Sequence, residues 1–97
     1  MGAKDRKHAA RRYLVRGSVQ GVGYRAFASN VAKLAGVRGW ARNLDDGRVE
    51  VYAIGELEQL SLFEGRLRQG PHFSDVRGVD AIDDIIDAGV RDFGIRH

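Results

Sequence analysis

The chain has 97 residues, with 16 Lys and Arg against 13 Asp and Glu, a net charge of +3 and no cysteine. That length makes one small domain with its own core, and the absence of cysteine excludes a disulfide framework, a thiolate nucleophile and a zinc–thiolate cluster. No apolar run approaches the ~18 residues of a membrane span, and the N-terminus lacks a signal-peptide apolar region, so a soluble, cytoplasmic protein is expected.

Residues 1–10 show no apolar periodicity and read as a disordered basic tail, leaving 11–97 as the single folded domain. In residues 1–12, Lys4, Arg6, Lys7, Arg11 and Arg12 stand against Asp5 alone, so the excess charge lies at that end. The body is close to neutral and offers no large basic face for a nucleic acid. Strand one is expected over Arg12–Gly17, with Tyr13 and Val15 on one face and Leu14 and Arg16 on the other.

The run Gly17-Ser18-Val19-Gln20-Gly21-Val22-Gly23-Tyr24-Arg25 follows. Its glycines admit positive φ and close approach of a ligand to the backbone. A loop of this kind before a helix start aims several N–H groups at one spot, where the helix dipole favours an anion. Arg25 falls about one residue into the helix, where its planar fork of donors can close over phosphate oxygens. The same glycines also suit a plain tight turn, and Gly21-Val22-Gly23-Tyr24-Arg25-Ala26 matches the loose dinucleotide pattern G-x-G-x-x-A, with Asp45 or Asp46 at a plausible distance for a ribose. Spacing alone supports an anion site without naming the anion.

Helix one is expected from about Tyr24 to Ala35, with Phe27, Val31, Leu34 and Ala35 as its apolar stripe and Gly36 as its left-handed C-terminal residue. Strand two is Val37–Asn43, a turn over Leu44–Gly47 ends in Asp-Gly, and strand three is Arg48–Ile54. Helix two opens after Gly55, carries Leu57, Leu60, Phe63 and Leu67 on one stripe, and ends at Gly70-Pro71. Strand four spans about Ser74–Ile82, and a final strand lies near Arg91–Arg96. The order is β-α-β-β-α-β plus a short C-terminal strand. Two amphipathic helices need one sheet face, which predicts an α+β, two-layer, ferredoxin-like sandwich: an antiparallel sheet with both helices on one face and strand three between strands one and two. Strands one and two then end on one rim about 10 Å apart, which gathers the glycine loop, Arg25 and Asn43.

With that rim in place, the residues resemble the acylphosphatase family. Gly17-x-Val19-Gln20-Gly21-Val22-Gly23-Tyr24-Arg25 is similar to its first signature, with Tyr24 where Phe is commoner. Gly39-Trp40-Ala41-Arg42-Asn43, then Asp46-Gly47-x-Val49-Glu50 and Gly55, resembles its second block, with Ala41 in place of the usual Val. Gly70-Pro71 and Phe93-Gly94-Ile95-Arg96 fit the remainder, so the resemblance covers about residues 12–96. It implies a ferredoxin-like fold and metal-free hydrolysis of acyl phosphates to carboxylate and inorganic phosphate. Its phosphate-binding Arg and water-positioning Asn match Arg25 and Asn43.

The residue types suit that chemistry. Phosphoryl transfer needs neutralised equatorial oxygens and an aligned nucleophile more than covalent help. The backbone N–H groups of Val19, Gln20, Gly21, Val22, Gly23 and Tyr24, with Arg25, can serve the first need. Asn43 both donates and accepts, so it can hold a water in line. A carboxylate leaves without a general acid, so no catalytic His is required, and His8, His72 and His97 are set aside. Asp45/Asp46 and Asp83/Asp84 read as turn and solubility residues, and Trp40 as sheet packing. The expected protein is a monomer that needs no cofactor or metal and binds no nucleic acid or membrane. Its partners are a small acyl phosphate and inorganic phosphate, the latter as product and competitive inhibitor. The alternatives are an RNA-binding module of the same fold, which the Glu50-bearing third strand suits poorly, and a dinucleotide-binding half-domain.

Overall fold

The computed structural model describes residues 7–97. Its elements are β1 (His8–Ser18), α1 (Tyr24–Ala35), β2 (Arg38–Asn43), β3 (Val49–Glu56), α2 (Leu57–Gln69), β4 (Asp75–Asp84) and β5 (Phe93–Arg96). They build one five-stranded sheet in the order β4-β1-β3-β2-β5, with β3 between β1 and β2 as expected. The expectation of a wholly antiparallel sheet needs one correction: β5 pairs parallel with β2, Gly39 facing Phe93 and Arg42 facing Arg96, so the sheet is mixed. Strands β1, β2 and β5 therefore all end on the same rim.

β1 starts earlier than its residue types suggest. His8, Ala9 and Ala10 pair with Glu56, Gly55 and Ile54 of β3, and Ala10 also faces Asp84 of β4. Pairing with β3, joined at Ala10 by β4, recruits an alanine pair with little strand preference of its own. Three residues of the anticipated tail are thus sheet; residues 1–6 of it lie outside the described residues.

Both helices cover the face that carries Tyr13, Val15, Val49, Val51 and Ala53. Gly23 and Gly36, at φ 77° and 79°, bracket α1, and the Gly36 N–H donates to the Ala32 carbonyl. The expected helix faces hold except at one residue in each. α1 buries Tyr24, Ala28, Val31 and Ala32, while Leu34 stands 83% exposed. Phe27 and Ala35 are partly buried against the same core, so Leu34 alone of the expected stripe faces away, and the small Ala28 and Ala32 side chains let α1 sit close to the sheet. α2 buries Leu60, Phe63 and Leu67, but Leu57 is half exposed at its first turn. A capping box starts α2: the Glu56 side chain accepts from the Gln59 backbone, and the Glu56 N–H donates to Gln59 Oε1 at 2.8 Å.

Aromatic contacts join these layers. Phe63 of α2 meets Tyr13 of β1 and Phe93 of β5 edge-on, each at 5.9 Å between ring centres. Such pairs add about 0.5–1.5 kcal/mol each beyond their buried area. The β4–β5 connection passes over the other face of the sheet, where the Tyr52 hydroxyl donates to the Ile85 carbonyl and accepts from the Asp87 N–H. That path carries the chain from one edge strand to the other and delivers β5 beside β2.

Candidate active site

The loop between β1 and α1 forms the near wall of a cavity of about 190 Å³ on the shared rim. Gly21 and Gly23, both at φ 77°, supply the left-handed turns that bring the chain from strand to helix. The first helical bond in α1 runs from the Phe27 N–H to the Gly23 carbonyl at 3.0 Å. The N–H groups of Tyr24, Arg25 and Ala26 precede it and have no acceptor within the helix. α1 also has no side-chain N-cap and no acidic residue in its first turn. Its positive end is left available to an anion.

Val19, Gly21, Gly23, Tyr24 and Arg25 line the cavity together with Asn43, the last residue of β2. Arg25 and Asn43 thus share one small volume, although eighteen positions separate them in the sequence. Gln20 and Val22 are not among its lining residues. Val22 packs against the core instead. The Gln20 side chain turns to the β2–β3 connection, where Nε2 donates to the Leu44 carbonyl at 2.8 Å and to the Arg48 carbonyl at 2.9 Å. The Tyr24 ring is buried, and its hydroxyl donates to the Leu67 carbonyl at 2.7 Å. Burial raises the Tyr24 pKa well above the ordinary phenol value.

The C-terminal strand contributes more than its sequence signals. Ile95 of β5 lines the cavity beside Ala26, giving it an apolar wall. Arg25 Nη1 donates to the Arg96 carbonyl at 3.1 Å and lies 3.3 Å from His97 Nδ1. These neighbours were not legible in the sequence, because only the parallel pairing of β5 with β2 brings them to the rim. The run Phe93-Gly94-Ile95-Arg96 was visible, but its destination was not.

Residues set aside in the sequence have other work. Asp46 closes the β2–β3 turn: Oδ1 accepts the Arg48 N–H at 3.1 Å, and Oδ2 accepts from Arg48 Nε at 2.8 Å. Those bonds hold its carboxyl below the usual carboxylate range. Asp83 and Asp84 lie 3.8 Å from Arg11 and Arg12 across the β1–β4 ladder. The His72 ring meets Phe73 edge-on at 5.0 Å. Trp40 stacks on Tyr52 at 5.7 Å on the sheet face away from the helices, with the Arg96 guanidinium 4.6 Å from its ring centre. On that face Glu50 is held by Arg42 and Arg12, and Tyr52 is only 5% exposed beneath the β4–β5 connection. A base-stacking platform needs open aromatic faces, and β3 does not present one. Among the described residues no group of three or more His, Cys, Asp or Glu is placed to hold a metal ion. Nor is any described helix long and apolar enough to cross a membrane.

Comparison with known proteins agrees with this architecture. The family model for acylphosphatase matches residues 11–95. An acylphosphatase of Solibacter usitatus is 61% identical over 71 residues, which span 73% of this chain and 74% of that relative. One from Thermus thermophilus is 55% identical over 67 residues, covering 69% and 76% of the two chains. Among solved structures, the acylphosphatase of Bacillus subtilis superposes with a TM-score of 0.87 at 34% identity, over 94% of this chain and all of that one.

Proposed function

The chain belongs to the acylphosphatase family, a class of hydrolases, and from that premise we propose how its rim cavity works. The substrate is a small acyl phosphate, cleaved to a carboxylate and inorganic phosphate by in-line attack of water. The phosphoryl group sits against the backbone N–H groups of residues 19–24 at the start of α1, with the Arg25 fork over its equatorial oxygens. Asn43 holds the attacking water. The observation that carries this reading is the single cavity lined by both Arg25 and Asn43, one beside an open helix N-terminus and the other across it.

Each part answers a requirement of the reaction. The transferring group spreads negative charge over three oxygens, and fixed N–H dipoles with a guanidinium stabilise that charge without reorganising. The water needs orientation, which a carboxamide supplies through one donor and one acceptor. The leaving carboxylate departs as a stable anion, so no proton donor is required. Ile95 and Ala26 give the acyl group an apolar surface to lie on. The protein works as a monomer in the cytoplasm, and the product phosphate competes for the same cradle.

The test is turnover of benzoyl phosphate by the wild-type protein in the presence of EDTA, alongside Asn43→Ala. The wild-type protein should hydrolyse it. The variant should lose roughly 10²-fold in kcat, about 2.7 kcal/mol of transition-state stabilisation, while its inhibition constant for inorganic phosphate changes only a few-fold. A folded Asn43→Ala protein that turns over at the wild-type rate would remove Asn43 from the mechanism.

A further inference from the structure

The phosphate cradle and the residue assigned to the water belong to different parts of the sheet. Residues 19–23 follow β1, whereas Asn43 ends β2, and β3 lies between those strands. In-line attack depends on the distance and angle between what the two hold. A misplacement of about 1 Å can cost about a hundredfold in rate. Something must fix the loop against the β2–β3 turn, and the Gln20 side chain is so placed.

Its single amide nitrogen donates to two main-chain carbonyls, Leu44 at 2.8 Å and Arg48 at 2.9 Å. Those two carbonyls flank the turn. The Leu44 N–H donates to the Arg48 carbonyl at 2.8 Å, and the Gly47 N–H donates to the Leu44 carbonyl at 3.2 Å. Each carbonyl oxygen accepts two bonds, one from the turn's own backbone and one from Gln20. Because both partners are carbonyls, the amide nitrogen rather than its oxygen must face them, which fixes the orientation of the group. Leu44 directly follows Asn43, so the bridge ends one residue from the proposed water-holding side chain.

We propose that Gln20 is a positioning residue for hydrolysis: its carboxamide locks the Asn43 end of β2 to the phosphate-binding loop, setting the line between water and phosphorus. This role rests on the reading of Arg25 and Asn43 above. It also explains the chemistry required at position 20. A carboxamide brings two N–H groups in one plane. A carboxylate brings none, and a leucine, shorter and apolar, brings none. Asn carries two but is one methylene shorter and falls short of the turn.

The experiment compares the wild-type protein, Gln20→Leu, Gln20→Glu, Asn43→Ala and the double variant Gln20→Leu/Asn43→Ala on benzoyl phosphate. Gln20→Leu should lose about tenfold or more in kcat, with phosphate inhibition changed only a few-fold, because the loop backbone and Arg25 remain. The double variant should be no slower than Asn43→Ala alone, since an effect passed through Asn43 vanishes once Asn43 is gone. Gln20→Glu should regain kcat as the pH falls through its carboxyl pKa, when the protonated acid can donate to one of the two carbonyls. A merely structural role would lower the melting temperature and leave all three readouts unmoved. Wild-type kcat in a folded Gln20→Leu, or losses that multiply in the double variant, would overturn the proposal while leaving the hydrolase reading intact. A wild-type protein inert toward benzoyl phosphate would overturn both.

Discussion

At the scale of single residues, Arg25 and Asn43 were legible because the glycine spacing places one at a helix start and the strand order places the other on the same rim. Gln20 was legible only as part of the loop. Its side-chain partners lie 24 and 28 positions away, and nothing local announces them. The Arg25 assignment makes its own prediction. Its guanidinium donates to the Arg96 carbonyl from Nη1, so Arg25→Gln removes a surface bond as well as the proposed clamp. The fold should survive, because that bond is exposed and the aromatic core is untouched. Phosphate affinity and turnover should fall together, since the clamp acts before and during reaction. Arg25→Lys should restore little, a point charge being unable to make two parallel bonds. Phosphate inhibiting the Gln variant as strongly as the wild-type protein would remove Arg25 from the site.

At the scale of elements, the sequence periodicity found both helices, and the glycines at their ends, with Pro71 after α2, bounded them. Of the expected α1 stripe, Phe27, Val31 and Ala35 do pack on the core while Leu34 is exposed, and the buried line through Ala28 and Ala32 was missed because alanine adds little to an apolar pattern. Tyr24 opens that buried line and also closes a gap at the far end of α2. The Leu67 carbonyl sits in the last turn of α2, beyond the reach of most helical donors, and the Tyr24 hydroxyl supplies its bond. Tyr24→Phe leaves that carbonyl without its partner and should cost about 1–3 kcal/mol, a fall of several degrees in Tm. The same variant has a pH signature. Burial raises the Tyr24 pKa above the ordinary value of 10.0, and burial with the Glu64 charge pushes Tyr13 up to about 12. A raised folded pKa means full stability below pH 10, then loss as the unfolded phenol ionises while the folded one does not. The Phe variant lacks Tyr24's share of that loss. Denaturant unfolding at pH 7 and at pH 11 should show the gap between the two proteins shrinking at the higher pH; a constant gap would place the raised pKa elsewhere.

At the scale of the whole molecule, the order of elements and the central place of β3 followed from the sequence, whereas the two ends did not. The last strand is short, and its parallel docking depends on the β4–β5 connection crossing the open sheet face, a path set by Tyr52 and the Ile85–Asp87 backbone rather than by any local pattern. The first strand is longer than its residues suggest, since His8, Ala9 and Ala10 are held by β3 and Ala10 also by β4. A truncation series separates charge from structure there. Removing residues 1–6 takes away Lys4, Asp5 and Arg6 but none of the described strand pairs, and it should leave kcat/KM and Tm nearly unchanged at physiological salt. Removing residues 1–10 also takes the ladder bonds opposite Glu56, Gly55 and Ile54 and the buried Ala10 side chain, which is 3% exposed. Each lost bond contributes about 0.5–1.5 kcal/mol net. The longer deletion should therefore lower Tm by several degrees while kcat of the folded fraction holds, because the rim proposed to carry the reaction is at the opposite end of β1. Equal Tm for the two truncations would show that His8, Ala9 and Ala10 of β1 contribute nothing to stability. A fall in kcat/KM already at residue 6, abolished by added salt, would instead show that the basic segment draws the anionic substrate toward the rim.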